Sequence, residues 1–371
     1  MQTDFAVANL AEIPSPSLLI FRERVEENLR RMLLEAGGPE RLRPHVKTHK
    51  LGEIVRRQVE LGITRCKTAT LAESEMAASA GSTDVLLAFQ PVGPNIGRFL
   101  DLRRVFPNTR FGTVVDHVDA AHEIARQAAT GRSTRAPVDL WIDLDIGQHR
   151  TGIAPGPGAV ELARLIHATP GLHLAGLHAY DGHLHDPDPA ARRAACDQAY
   201  APVDALRREL ESIGIPVPSV VAGGTPTFPF HLERPGVECS PGTCVLWDAG
   251  YAKKLPDLDY LPAAALLARV VSRPTPDRIC LDLGHKAVAS EMAHPRVIFP
   301  DLPDAVPVAH NEEHLVLETP RAEAWKVGDA LLGIPWHVCP TVALHSEVWV
   351  IEHGRATDCW QVLARARRIT V

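Results

Sequence analysis

Nowhere in the 371 residues do five like charges stand together. Against 39 Lys and Arg stand 45 Asp and Glu, a formal net charge of -6, so a protein that grips a phosphate backbone is not expected. A long apolar run is also missing. The longest, 261–271, is interrupted by Pro262 and Arg269 and falls far short of the roughly 20 residues a bilayer requires. The opening MQTDFAVANLAEIPSPS has neither a basic start nor a continuous apolar stretch, which speaks against a secretory signal and makes the cytoplasm the expected compartment. Cys66, Cys196, Cys239, Cys244, Cys280, Cys339 and Cys359 form no CxxC pair, so neither a disulfide framework nor a zinc ribbon is expected. Internal repeats and low-complexity tracts are absent too.

What is present is a chain with 45% hydrophobic and 23% charged residues, the composition of a folded protein with a sizeable core. Its length suits a large barrel with a smaller domain. Apolar, β-rich runs at 42–46, 65–68, 84–89, 110–115, 138–145, 173–180, 219–222 and 237–245 alternate with helical patterns such as 51–61, 71–80, 119–128, 158–168 and 190–213. Eight strands alternating with helices predict an α/β fold, a (β/α)8 TIM barrel. The last connection is poor in helix and rich in Pro and Gly. A doubly wound open sheet is the alternative, with no GxGxxG to support it. Beyond residue 256 short β-like runs replace the long helices, and 17–21 lies outside the eight strands. The expected division is therefore a barrel over 22–250, with 1–21 and 251–371 forming a mostly β domain.

Chemistry in such a barrel sits on loops after the C-terminal ends of its strands. Strand 1 runs into PHVKTHK, where alternation puts Arg43, His45 and Lys47 on one face and aims Lys47 at the barrel mouth. A lysine confined there has an amine available for a Schiff base with a carbonyl cofactor; a solvated lysine is the alternative, and suits Lys50 better. Strand 5 ends in DLDIGQHRTG, where Arg150 could neutralise an anionic oxygen or pair with Asp145. Strand 6 ends in AYDGHLHD, offering Tyr180, His183 and His185, with His183 the better acid/base candidate. AGGTPT after strand 7 and ECSPGT after strand 8 place Gly223, Gly224, Thr225, Gly242 and Thr243 as a phosphate cradle of exposed N–H groups. Together, the lysine and the cradle point to pyridoxal 5'-phosphate. In IPWHVCPTVALHSE, an extended segment would project His337 and Cys339 to one face as ligands for a divalent ion, with positions left open for water or substrate; a plain strand with a buried cysteine is the alternative.

In this order, PHVKTHK, ATLAE (69–73), YDGH, AGGTPT, SPGT and WHVCPT resemble the D-threonine aldolase and D-serine dehydratase group of fold-type III pyridoxal-phosphate enzymes, related to alanine racemase. The resemblance implies that Lys47 is the cofactor lysine, that Arg150 and Tyr180 lie near the cofactor ring, and that His337 and Cys339 are the metal pair (Mn, Zn or Mg). It also implies that His183 is the aldolase base and that the protein is a homodimer. On this footing the expected function is cleavage of a D-3-hydroxy amino acid to glycine and an aldehyde. A D-serine dehydratase is the nearest rival; a racemase or a non-catalytic pyridoxal-phosphate carrier are further alternatives. Neither nucleic acid nor membrane is an expected partner.

Overall fold

The computed structural model describes residues 5–132 and 136–371. Two compact units are present: Met1–Met32, Thr48–Leu51 and Thr243–Arg365 form one, and Leu33–Lys47, Gly52–Gly242 and Ala366–Val371 the other. The first strand, β1 (Ser17–Phe21), belongs to the former.

In the second unit β2 (Arg65–Thr68), β3 (Asp84–Leu87), β4 (Arg110–Val115), β5 (Val138–Leu144), β6 (Leu172–Ala179), β7 (Val220–Ala222) and β8 (Val237–Cys239) follow one another as a parallel sheet. Helices or turns connect them, including one the sequence pattern hid, Pro94–Val105. The segment 42–46, expected as a regular first strand, is instead a pair of bridges that completes the ring. Leu42 bridges Cys239 and His45 bridges Lys67, both parallel. Arg43 N–H donates to Cys239 O at 2.9 Å, and Lys67 N–H to Pro44 O at 2.9 Å. Pro44 has no N–H to give a ladder, and the chain turns at once into the 3-10 turn Val46–Thr48. Lys47 therefore sits in a turn, not at an alternating strand position.

Inside the ring Leu86, Val114, Trp141, Ala175 and Val221 pack as one layer, one from each of β3 to β7. Near the strand starts the fully buried Arg43 bridges Asp84 of β3 (2.6 Å) and Glu238 of β8 (2.7 Å). A guanidinium's fixed fork suits two carboxylates at once, so this residue laces the closing segment to strands on both sides of it.

In the first unit the strands are β9 (Ala264–Thr275), β10 (Arg278–Leu281), β11 (Val297–Ile298), β12 (Val306–His310), β13 (Leu315–Glu318), β14 (Ala330–Pro335), β15 (Glu347–Glu352) and β16 (Arg355–Gln361). They form a mostly antiparallel sheet in the order β12-β13-β10-β9-β1-β15-β16, with β14 on β9 and β11 on β14. Every residue of β1 is buried, antiparallel to β9 and parallel to β15. Phe5, Ile13, Leu19, Phe21, Leu267 and Ile334 lie in its core cluster. No helix among the described residues is long and apolar enough to cross a membrane.

Candidate active site

At the C-terminal ends of the barrel strands three cations surround one aromatic ring. Lys47 Nζ lies 5.5 Å, Lys67 Nζ 5.2 Å and Arg150 Cζ 5.2 Å from the centroid of the Tyr180 ring. Positive charge over an aromatic face is attracted by the ring quadrupole, but three cations at one ring repel each other and favour an anion among them. Two glycines make room for the ring. A Cβ at Gly182 would stand 2.2 Å from the Tyr180 hydroxyl, and one at Gly224 3.2 Å from its ring edge. Arg150 is not engaged by Asp145, whose carboxylate accepts from the N–H groups of Gly147 and His149 (both 3.0 Å) and pairs with the His149 ring (2.8 Å).

Gly223 adopts φ +78, a conformation that glycine enters without penalty, and turns the chain after β7. Gly242 N–H donates to Thr225 Oγ1 at 3.1 Å, tying the two glycine loops together. In the second of them the Ser240 hydroxyl is buried without a hydrogen-bond partner among the described residues. Thr243 lies in the other unit, its Oγ1 3.7 Å from Cys339 Sγ. An orphaned hydroxyl, two tied glycine loops and a surplus of cations fit an anionic, phosphorylated cofactor.

Beneath the first loop lies a network that the sequence did not reveal. The fully buried Asp181 accepts from Gly224 N–H (3.1 Å) and Thr227 Oγ1 (2.8 Å), and pairs with His231 Nε2 (2.7 Å). Burial alone would raise its pKa, but the bonds from His231 and Thr227 hold the carboxyl below the usual carboxylate range. Asp181, Cys196 and His231 also form, among the described residues, a group of three potential metal ligands within 4.8 Å. Both Asp181 oxygens already accept hydrogen bonds, so an ion would have to displace them. We therefore expect Asp181→Asn to lower the stability of the fold by about 1–3 kcal/mol in thermal unfolding and to weaken cofactor retention, because the Gly223–Thr227 loop loses its anchor.

Three further polar groups inside the ring were also missed. Lys67 is 1% exposed, and its Nζ lies 3.5 Å from His178 Nε2. The other ring nitrogen, Nδ1, pairs with Asp143 Oδ1 at 2.7 Å, and Thr151 Oγ1 donates to Asp143 Oδ2 at 3.0 Å. Burial, with the Lys47 charge nearby, brings the Lys67 amine down to about 7. Burial also holds the His178 imidazole below its ordinary range despite its bond to Asp143.

His183 is half-buried beyond β6. Its Nε2 stands 3.0 Å from where a Cβ on Gly147 would be, and its Nδ1 is buried without a hydrogen-bond partner among the described residues. An open pocket of about 360 Å³ reaches it, lined also by Asp145, Ile146 and Leu184.

His337 and Cys339 are not on an extended segment. The chain leaves β14 and begins the helix Val338–Leu344, with His337 as its N-cap and Cys339 in its first turn. Pro340 explains the difference, since a first-turn proline lacks only an N–H that has no intrahelical partner there. The pair still faces one neighbourhood. His337 Nδ1 lies 2.5 Å from Glu291 Oε1, Cys339 Sγ lies 3.3 Å from Thr48 Oγ1, and Val338 N–H donates to the buried Asp248 at 3.1 Å. Burial works against a charged His337, but Cys339 and Glu291 outweigh it and push the imidazole up to about 9. Surroundings that favour a proton's charge so strongly fit a bound cation, and a helix start favours an anionic sulfur.

Comparison with known proteins agrees with this geometry. Residues 20–247 match the model of the alanine racemase N-terminal domain, and 263–351 that of a putative serine dehydratase domain. A D-threonine aldolase of Arthrobacter sp. is 31% identical over 363 residues, covering 96% of this chain and 94% of the relative. The crystal structure of D-threonine aldolase from Filomicrobium marinum superposes with a TM-score of 0.89 at 28% identity over 99% of both chains. A cysteine variant of D-threo-3-hydroxyaspartate dehydratase, solved in a metal-free form, gives 0.84 at 25% identity over 95% of this chain and 98% of that one. The chain belongs to the D-threonine aldolase and D-serine dehydratase-like family of pyridoxal-phosphate enzymes, built on an alanine racemase-like barrel with a mostly β C-terminal domain.

Proposed function

We propose that this enzyme is a carbon–carbon lyase, dependent on pyridoxal 5'-phosphate and a divalent metal, that cleaves a D-3-hydroxy amino acid to glycine and an aldehyde. The observation that carries the reading is the cluster at Tyr180: an amine, two further cations and a pair of glycine loops, all at the barrel's catalytic end. When bound, pyridoxal phosphate supplies a conjugated ring that delocalises the electron pair left on Cα. In this reading Lys47 holds the cofactor through its amine, Tyr180 and Arg150 position its ring, and Gly223, Gly224, Thr225, Gly242 and Thr243 hold its phosphate. His183 takes the proton from the β-hydroxyl. A base needs a ring nitrogen not already committed to a partner, and Nδ1 is one.

His337 and Cys339 would hold the divalent ion (Mn, Zn or Mg), which supplies Lewis acidity toward a hydroxyl. Chelation is expected to abolish turnover while circular dichroism and the absorbance of the bound cofactor stay as they were, and added metal should restore it. Unfolding on chelation would mark a structural ion instead, because closed sites contribute folding energy outright.

A dehydratase keeps the same residues but lets Lys47 take the Cα proton. The match of residues 263–351 favours keeping this second reading in view. A panel of D-3-hydroxy amino acids, with aldehyde, glycine, ammonia and keto acid scored together, separates the two. Ammonia and keto acid without aldehyde would overturn the aldolase reading. As part of the same proposal, the enzyme works as a cytoplasmic homodimer.

A further inference from the structure

Lys67 has no role in the reading above, yet it is the most deeply buried of the three cations at Tyr180. Among the described residues the one hydrogen-bond partner of its amine is His178 Nε2, at the long distance of 3.5 Å. Asp143 and Asp181 favour its charge from further away, whereas Lys47 and Arg43 oppose it. Among the described residues no carboxylate pairs with it directly. A buried cation left in this state weakens the fold. Its surroundings are nonetheless built. With His178 Nδ1–H donating to Asp143, Nε2 is left as an acceptor for one Lys67 N–H, and Thr151 braces the same carboxylate. An ammonium has three donors, so two remain on the side of Tyr180.

We propose that Lys67 is a second anion-holding residue of this site, whose ammonium pairs with an oxyanion of the molecule seated at the Tyr180 ring, while the His178–Asp143 pair holds the amine in place. The oxyanion is either a ring oxygen of the cofactor or the carboxylate of the bound amino acid, and the chemistry is the same for both. An incoming anion gives the buried amine the partner it lacks and favours its charged form. Lys67 thus trades stability of the empty protein for affinity. This rests on the reading that pyridoxal phosphate and an amino acid occupy the site.

Lys67→Met removes the charge at similar volume, and Lys67→Gln keeps a donor for His178 without charge. Three quantities test the idea on the full chain: the melting temperature without cofactor, the pyridoxal 5'-phosphate concentration for half-saturation, and the glycine concentration that half-changes the absorbance of the bound cofactor. The melting temperature of Lys67→Met should equal or exceed that of wild type. In both variants one binding constant should weaken by about tenfold or more, the scale of a lost charged hydrogen bond. Weaker pyridoxal phosphate assigns the oxyanion to the cofactor; unchanged cofactor with weaker glycine assigns it to the amino acid. Wild-type binding by both variants, or by Lys67→Gln alone, overturns the proposal, as does a lower melting temperature with unchanged affinities. A wild-type chain that binds no pyridoxal phosphate sinks the functional reading and this proposal together.

Discussion

Lys47→Ala is expected to abolish turnover and, with it, both the visible absorbance of the bound cofactor and its trapping by borohydride. Two features set Lys47 apart from its neighbour Lys50. Its amine is at the Tyr180 ring with Arg150 and Lys67, and it is fixed in the short turn that follows the closing segment of the ring. Lys50 has a left-handed backbone, φ +52, so the control should be Lys50→Arg, which keeps that conformation's demands unchanged. A Lys50→Arg variant that loses the trapped cofactor, or a Lys47→Ala variant that keeps it, would move the attachment point elsewhere.

His183→Ala should retain cofactor and metal while aldehyde and glycine formation fall by about 10² to 10⁴, the scale of a missing general base. Aldol cleavage requires a proton to leave the β-hydroxyl, and an imidazole nitrogen is a suitable acceptor for it. Dehydration needs the Cα proton, which Lys47 could remove, so the same variant would keep most of a dehydratase's activity. The test therefore has two sides. Full aldolase activity in His183→Ala refutes its role as the base, and a small loss of ammonia release would favour the dehydratase reading. Because the ring stands over Gly147 without bonding to it, its removal leaves few partners stranded, and the fold should tolerate it.

Most of the seven barrel strands were legible as apolar runs between turn signals, as a parallel strand covered on both faces reads; β2, RCKT, with its two cations, departs from that pattern. The segment 42–46 was read as a strand too, but its pairing is limited to one bridge to the nearby Lys67 and one to the distant Cys239, and Pro44 has no N–H to extend them into a ladder. Strands β12 and β16 escaped because they are the sheet's edges, with mostly exposed residues and weak alternation. In WHVCPT the proline at 340 was a helix-start signal, outweighed by the β-like neighbours before it. Lys47, Arg150 and Tyr180 could be singled out as candidates because each follows an expected strand closely and stands beside turn residues. Lys67, Asp143 and His178 could not, since they lie within strands and their meeting depends on barrel closure. Parity was the available clue: in RCKT, Lys67 alternates with the buried Cys66. Asp181 and Thr227 stood inside recognised motifs, YDGH and AGGTPT, but His231 lay outside any, and nothing in the sequence joins the two stretches.

The position of β1 bears on the order in which the protein is made. β1 is an interior strand of its sheet, and its partners, β9 and β15, begin only at residues 264 and 347. SLLIF, buried at every position, must therefore wait unpaired through the synthesis of some 250 residues, at about 5–20 residues per second, before it finds its first neighbour. The barrel strands meet no such delay, since each pairs with the one before it. A nascent chain thus waits longest to pair a strand that is buried at every position in the finished fold, and a chain that stalls before residue 264 releases that strand with neither partner made. The late arrival of both partners leaves β1, rather than a barrel strand, as the segment with the longest wait for its pairing.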